Sequence, residues 1–441
     1  MNDMSEYPRV LIIYPSCINK EDQHGVSMRE WFADWPQNKL AQIYSGNEIG
    51  DKKFCAYNFK LGEKERKFGK LFFKFKDSSL GKSSYITILD DEIKNLNKVS
   101  LLSLFKNKIS GWLIGTGLWE LMFPPVLSQE MARFVSDFNP QIIYCQGYSL
   151  TFTWIPIMLH DRFNIPICFQ TGDDWPSFIY KSSPLSIVMR PMVNKAVRSL
   201  LSKSSVRLAN GRIMEEEYKK RYGLPFATLM ICDNIDRFRN ETPRRVVDNG
   251  FISVVYSGNL GNYRWASIIE LCEAAKQISL DRVKIMVTAF ATIIPPEAVN
   301  QLQEIDNLQV LPNPSHEELP SYLKGADILF LPESFEEKRA NEIHLSISTK
   351  AHLYMLSEKP VLVYASSLTG IANYAKEEGW ACVVEEQNVS KLAAALKNLI
   401  ENREYSNKLI NKGIEVYLRN HDQKKVRARL LSIMNGDISY Q

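Results

Sequence analysis

The feature that most constrains this chain is an alternation of short apolar runs with amphipathic, helix-length segments, broken once near its middle. "RVLIIYP" (9–15), "PQIIYCQG" (140–147) and "PICFQTG" (166–172) are apolar runs of strand length bounded by turn residues. "GVSMREWFADW" (25–35) and "FTWIPIMLHDRF" (152–163) read as helices. "VRLANGRIMEEEYKKRYG" (206–223) gives a strand, a turn and a charged helix stopped by Gly223. After the polar, Arg-rich joint "DRFRNETPRRVVDNG" (236–250) the alternation restarts with "FISVVYSGNLG" (251–261) and "RVKIMVTAF" (282–290). "LQVLP" (308–312), "ADILFLPE" (326–333), "PVLVYAS" (360–366) and "ACVVEE" (381–386) complete it, with a capping box at Ser315 and Glu318.

Strands alternating with helices build parallel sheets covered on both faces, and one break implies two such sheets. The expected fold is therefore α/β, with two doubly wound, Rossmann-like domains facing a cleft. At 441 residues the chain also exceeds one ordinary core. The expected boundaries are 1–240 and 241–420, then a helical tail, 421–441, able to pack back toward the first domain. Ligands belong at the carboxyl ends of such strands.

Several function classes are not expected. The seven cysteines are scattered without a CxxC pair, as reduced core thiols of a cytosolic protein would be. The six histidines form no HExxH pair, and Asp90-Asp91 alone reads as solvated, so no metal is expected. A net charge of +4 does not point to nucleic acid. The opening "MNDMSEYPRVLIIYPSC" runs straight into a strand, unlike a secretion signal. No run approaches the ~18 apolar residues of a spanning helix.

Three stretches carry chemistry. In "ICFQTGDDWPSFIY" (167–180) a strand delivers Asp173 and Asp174 onto a loop, either as the rim of a site or as a capped, solvated turn. In "VVYSGNLGNYRWASIIEL" a strand ends at Tyr256, Gly258 and Gly261 bracket a turn, and a helix begins near Trp265. Free N–H groups there, with Arg264 alongside, suit a phosphate, although GxGxxG lacks its third glycine. In "SISTKAHLYMLSEKPVLVYAS" (346–366), Ser346, Ser348 and Thr349 suit a helix start and Lys350 falls in its first turn. A lysine there opposes the helix dipole unless an anion binds too, which makes the segment either a diphosphate cradle or a plain cap with an exposed lysine.

The order of "YSGNLG", "ELPSYLKGADILFLPE", "STKAHLYMLSEKPVLVYA", "GIANYAKEEGW" and "VSKLAAALKNLI" over 251–420 resembles family four glycosyltransferases. These are retaining enzymes of the GT-B fold, and the resemblance is to bacterial members that build surface polysaccharides. It implies a nucleotide diphosphate-sugar donor held by the second domain, as a substrate and without any cofactor. On the donor side it implies Gly258, Asn259, Gly261 and Arg264, Asn313 near the base, and Ser348, Thr349 and Lys350 at the diphosphate. On the acceptor side it implies Gly25 in the cleft, His24 beside it, and Asp173 and Asp174 near the reacting centre. The acceptor would be a glycan or a lipid-linked oligosaccharide.

The chain departs from the family's spaced pair of glutamates: Leu345 and Leu353 stand at those positions. Glu333, Glu336, Glu337 and Glu342 are candidates for the first role, Glu336 having the best offset. Glu358 replaces a usual glycine. "KLGEKERKFGKLFFKFK" (60–76) holds seven Lys/Arg against two acids, and Phe68, Leu71, Phe72 and Phe75 share one helical face. Such a helix would rest on an anionic inner-leaflet surface or pack on its own domain, and 110–127 could extend it. The expected protein is cytoplasmic, at most peripheral to the membrane. The alternatives are an inactive GT-B scaffold subunit and a nucleotide-sugar epimerase.

Overall fold

Apolar runs buried on both faces can only be interior strands of a covered sheet, and the computed structural model has two such sheets. It describes residues 7–18, 23–46, 51, 53–68, 112–248, 250–279 and 284–436. These divide into two compact units. One holds the described residues up to Met230 together with those from Lys424 onward; the other spans Ile231–Gln423.

The first sheet comprises β1 (Val10–Ile13), β2 (Leu40–Tyr44), β3 (Tyr57–Lys60), β4 (Ile142–Cys145), β5 (Ile167–Thr171), β6 (Ser204–Ala209) and β7 (Ala227–Thr228). Its order is β3-β2-β1-β4-β5-β6-β7, with every pairing parallel. The second comprises β8 (Phe251–Gly258), β9 (Lys284–Ala291), β10 (Leu308–Pro312), β11 (Ile328–Pro332), β12 (Val361–Tyr364) and β13 (Cys382–Val384). Its order is β10-β9-β8-β11-β12-β13, again all parallel. The winding direction reverses between β1 and β4 and between β8 and β11, so the following loops diverge there and open a crevice in each unit.

Local chemistry sets the helix ends. Ser149 Oγ accepts from Phe152 N at the start of Leu150–Phe163, and Asn388 Oδ1 accepts from Lys391 N at 2.9 Å before Val389–Glu401. Gly223 stops Arg212–Tyr222 in the left-handed region at φ 69°. Ser315 and Glu318 make the expected reciprocal contacts before Leu319–Gly325. All seven cysteines are buried, and none is in a disulfide.

The basic segment differs from the expected helix where it is described. Lys60 ends β3, Glu63–Glu65 form a single 3-10 turn, and Arg66 pairs with Pro125 as an isolated antiparallel bridge. Arg66 Nη1 also donates to Phe123 O at 3.2 Å. Pairing to a neighbouring segment sets the conformation of the described part, 60–68; 69–76, with three of the four apolar residues that suggested the helix, lie outside the described residues. No helix among the described residues is long and apolar enough to cross a membrane.

The helix Gln423–Met434 closes the first unit: Arg427 donates to Glu30 Oε2 at 3.1 Å and Asp34 Oδ1 at 2.9 Å. In the second unit, the entering and leaving segments are tied together. Asp233 and Asp422 form a parallel bridge, and His421 Nδ1 donates to Ile231 O at 2.6 Å. His421 Nε2 accepts from Tyr374 OH at 2.9 Å, so this tautomer is fully used. Burial pushes His421 down to about 4 from 6.5, and the stacked His352 down to about 3.

Unfolding frees these imidazoles to take up protons, so stability is fully present above pH ~6.5 and is lost as pH falls toward the folded values. For His421 alone the loss reaches on the order of 3 kcal/mol by pH ~4. Urea midpoints measured from pH 7 to 4 should fall, and His421→Gln should flatten that limb. An unchanged limb in the variant would remove His421 from this account.

Candidate active site

In the second unit, the carboxyl ends of β8 and β11 flank the reversal point, and the charged residues gather there. β8 ends at Gly258, whose φ of 147° is one that side-chain-bearing residues rarely adopt. A Cβ at this position would lie 2.2 Å from Lys350 Cε. Gly258 thus leaves the space that the Lys350 stem occupies. The turn beyond is pinned by Tyr256 OH donating to Asn259 O at 2.6 Å and by Asn259 Oδ1 accepting from Gly261 N. Asn262 and Tyr263 both lie in the left-handed region, and Arg264 opens the helix Arg264–Lys276.

Arg264 makes a two-pronged ion pair with Glu333, which directly follows β11. Lys350 is half-buried with Nζ 5.6 Å from the Tyr256 ring centroid, and it forms no salt bridge among the described residues. Burial lowers its pKa to about 8, with Arg264 pushing the same way and Glu333 opposing. A desolvated ammonium beside a guanidinium is costly unless an anion joins them.

Ser348 and Thr349 precede the six-residue helix Ala351–Leu356, with Ser348 O accepting from Ala351 N at 3.0 Å. Lys350 stands just before the first turn rather than inside it, its carbonyl accepting from Tyr354 N at 2.9 Å. That helix is tied to β8 by Ser257 N donating to Tyr354 OH at 3.0 Å. Ser257 Oγ in turn donates to Asn313 Oδ1 at 2.8 Å, which brings Asn313 to the same strand end. Glu336 sits exposed at the start of the short helix Glu337–Glu342. Glu333, three residues nearer the strand, is the acid that meets Arg264. Leu345 is buried and Leu353 half-buried. Glu358 adopts the φ of 55° that a glycine would suit.

Gly258→Ala should displace Lys350 and strain the turn at once, since the new methyl cannot share the lysine's space. The expected result is a destabilisation of about 2 kcal/mol together with weakened anion binding. Thermal unfolding with and without diphosphate would read both effects, and a variant equal to wild type in both would refute the packing argument.

In the first unit the two aspartates part company. Asp174 is fully buried: Oδ1 accepts from Tyr218 OH at 2.8 Å and Arg221 Nη1 at 2.6 Å, and Oδ2 accepts from Ser177 Oγ at 2.6 Å. It stands at the start of Trp175–Phe178 without capping a backbone N–H, so it is neither the solvated cap nor the open rim that its sequence suggests. Its geometry is that of an anchor between the end of β5 and the helix Arg212–Tyr222. Asp173 keeps some exposure, and its Oδ2 accepts from Tyr148 OH at 3.3 Å. Gly25 is buried within the helix Gln23–Phe32, which also contains His24. Asp90-Asp91 lie outside the described residues. Among those described, no group of three or more His, Cys, Asp or Glu is placed to hold a metal ion.

Sequence reasoning named Glu333 only as one of four acids; its signal was an acid immediately after the fully buried run "ILFLP". Tyr218 and Arg221, the partners of Asp174, carried no signal beyond a charged helix.

Residues 252–402 match the family model "Glycosyl transferases group 1". No curated protein matches the chain. Among solved structures, the chain is similar to sucrose-phosphate synthase from Thermosynechococcus elongatus at 13% identity and a TM-score of 0.62, over 97% of this chain and 98% of that one. HepE of Anabaena, solved in complex with UDP, is 9% identical with a TM-score of 0.63, over 97% and 100%. Trehalose-6-phosphate synthase OtsA is 12% identical with a TM-score of 0.60, over 97% and 99%. The chain has the fold of these GT-B proteins, two Rossmann-like units with parallel sheets, and the stretch that matches the group 1 glycosyltransferase model, residues 252–402, lies within the second of them.

Proposed function

We propose that this protein is a nucleotide-sugar-dependent glycosyltransferase. The observation that carries the reading is Lys350: a half-buried ammonium without a salt bridge among the described residues, against Gly258 and beside Arg264 at a strand-order reversal. Two cations meeting at such a crevice suit a diphosphate, and the group 1 match over the same residues names the chemistry. HepE is solved with UDP and with UDP-glucose, which makes a uridine donor the first to try.

In this reading Gly258, Asn259, Gly261, Arg264, Ser348, Thr349 and Lys350 hold the diphosphate, and Asn313 lies toward the base. The acceptor falls to the first unit, with Asp173 at the end of β5 able to orient a hydroxyl. Transfer retains the anomeric configuration. Lys350 and Arg264 supply the charge that a divalent ion would otherwise bring, and the nucleotide sugar is a substrate, so no cofactor is called for. The acceptor is a glycan, carried on a lipid in surface-polysaccharide assembly. The protein works on the cytoplasmic face of a membrane, a reading supported by the basic composition of 60–76 and the exposed Phe68.

Leu345 and Leu353 favour a second reading, a GT-B subunit without turnover that supports a partner transferase. Calorimetric binding of UDP, GDP, dTDP and CMP, followed by hydrolysis of the matching sugar nucleotides, separates the two. One nucleotide bound and its sugar slowly released supports the enzyme. Binding without release favours the scaffold, and no binding to any of the four sinks the transferase reading.

A further inference from the structure

The anion site contains a carboxylate that anion binding alone does not need. Glu333 is 4% exposed, and its backbone is fixed by Glu333 N donating to Tyr364 O at 3.0 Å. One edge of Arg264 takes both its oxygens: Nε donates to Oε2 at 2.8 Å and Nη2 to Oε1 at 3.1 Å. With Lys350 and Arg264 as the cations, this acid halves the local positive charge and so weakens attraction for a diphosphate. What it gives in return is geometry. A planar, two-pronged pair stops the guanidinium rotating on its flexible stem.

We propose that Glu333 is a positioning residue that holds the Arg264 guanidinium in one plane, ready for the charge that develops on a departing nucleoside diphosphate. The proposal rests on the transferase reading above. As the bond between the anomeric carbon and the diphosphate oxygen breaks, its electron pair passes to that oxygen. Donors fixed in advance stabilise this growing charge without reorganising. The ground-state diphosphate needs less, because Lys350 and a loosely held Arg264 still attract it. Glu333 therefore acts on turnover more than on binding.

The test uses the full chain, UDP-glucose and water as acceptor. The anomeric carbon exchanges its bond to the diphosphate for one to water oxygen, the water proton leaves to buffer, and UDP and glucose appear in equal amounts. Glu333→Gln keeps the volume and removes the charge; Glu333→Asp keeps the charge. The expected result for Glu333→Gln is a kcat at least tenfold lower, with UDP affinity unchanged or tighter, and for Glu333→Asp an intermediate kcat. An unchanged kcat in Glu333→Gln would overturn the proposal. So would parallel losses of kcat, UDP affinity and thermal midpoint, which would make Glu333 structural only. A wild-type chain that binds none of UDP, GDP, dTDP and CMP overturns the transferase reading itself, and this proposal with it.

Discussion

Asp174→Ala should lower the unfolding free energy by about 3 kcal/mol, because it strips the acceptor from the buried Tyr218 hydroxyl and breaks a charge-assisted contact to the half-buried Arg221. Arg221 and Tyr218 both direct their donors at Asp174 Oδ1, and Ser177 fills Oδ2. With the carboxylate gone, Arg221 keeps Glu217 and Ser177, and Tyr218, fully buried, loses the acceptor of its hydroxyl. Adding Arg221→Met to Asp174→Ala should cost little more, since the contact between the two is already broken in the single variant. Asp173→Ala, at a half-exposed carboxylate that accepts from Tyr148 OH at 3.3 Å, should cost no more than about 1 kcal/mol. Urea denaturation of the four proteins would decide it; equal costs at 173 and 174 would contradict the anchor.

Lys350→Ala should weaken nucleoside diphosphate binding by about 2–4 kcal/mol, roughly 30- to 1,000-fold, while leaving the fold intact. The size follows from desolvation: the ammonium is already largely stripped of water, so its attraction for a phosphate is little screened. Protein stability should hold or rise, because a half-buried cation with no salt bridge among the described residues is removed. A pH signature separates this lysine from Arg264. With its pKa lowered to about 8 in the free protein, Lys350 loses its proton as pH rises through that value. Wild-type affinity should therefore decline above pH ~8, whereas the alanine variant should be flat over that range. Calorimetric titrations from pH 7 to 9.5 would show it. A wild-type curve as flat as the variant's would mean that Lys350 does not face the ligand.

Much of the fold was legible because its central strands are buried on both faces. "ILFLP" and "VLVY" contain nothing that could face water, and such runs have few alternatives to the interior of a parallel sheet. The glycine turn and the lysine were visible as separate local oddities, a strand stopping on glycines and a cation at the wrong end of a helix. That Gly258 and Lys350 fill one space could not be read, because the contact depends on how β8 and the 346–350 segment pack. Asp174 was misleading for the same reason. Two of its partners, Tyr218 and Arg221, come from a helix 44 and 47 residues later, and an acid beside an acid looks alike whether it is solvated or locked. In the segment 60–76 only the start is described: Lys60 ends a strand and Arg66 bridges to Pro125, so a non-local pairing that spacing cannot reveal sets the structure there.

The chain leaves its first unit at Met230 and returns to it at Lys424, which has a consequence for biosynthesis. Among the described residues the second unit is one uninterrupted stretch and can fold as it leaves the ribosome. The first, although its amino-terminal strands are made first, must wait for the helix that carries Arg427 before Glu30 and Asp34 find their partner. At about 5–20 residues per second, the intervening unit imposes a wait on the order of ten seconds or more. During it the helix Gln23–Phe32 stands without its cover, so the nascent chain rather than the finished protein is where a chaperone would find its client.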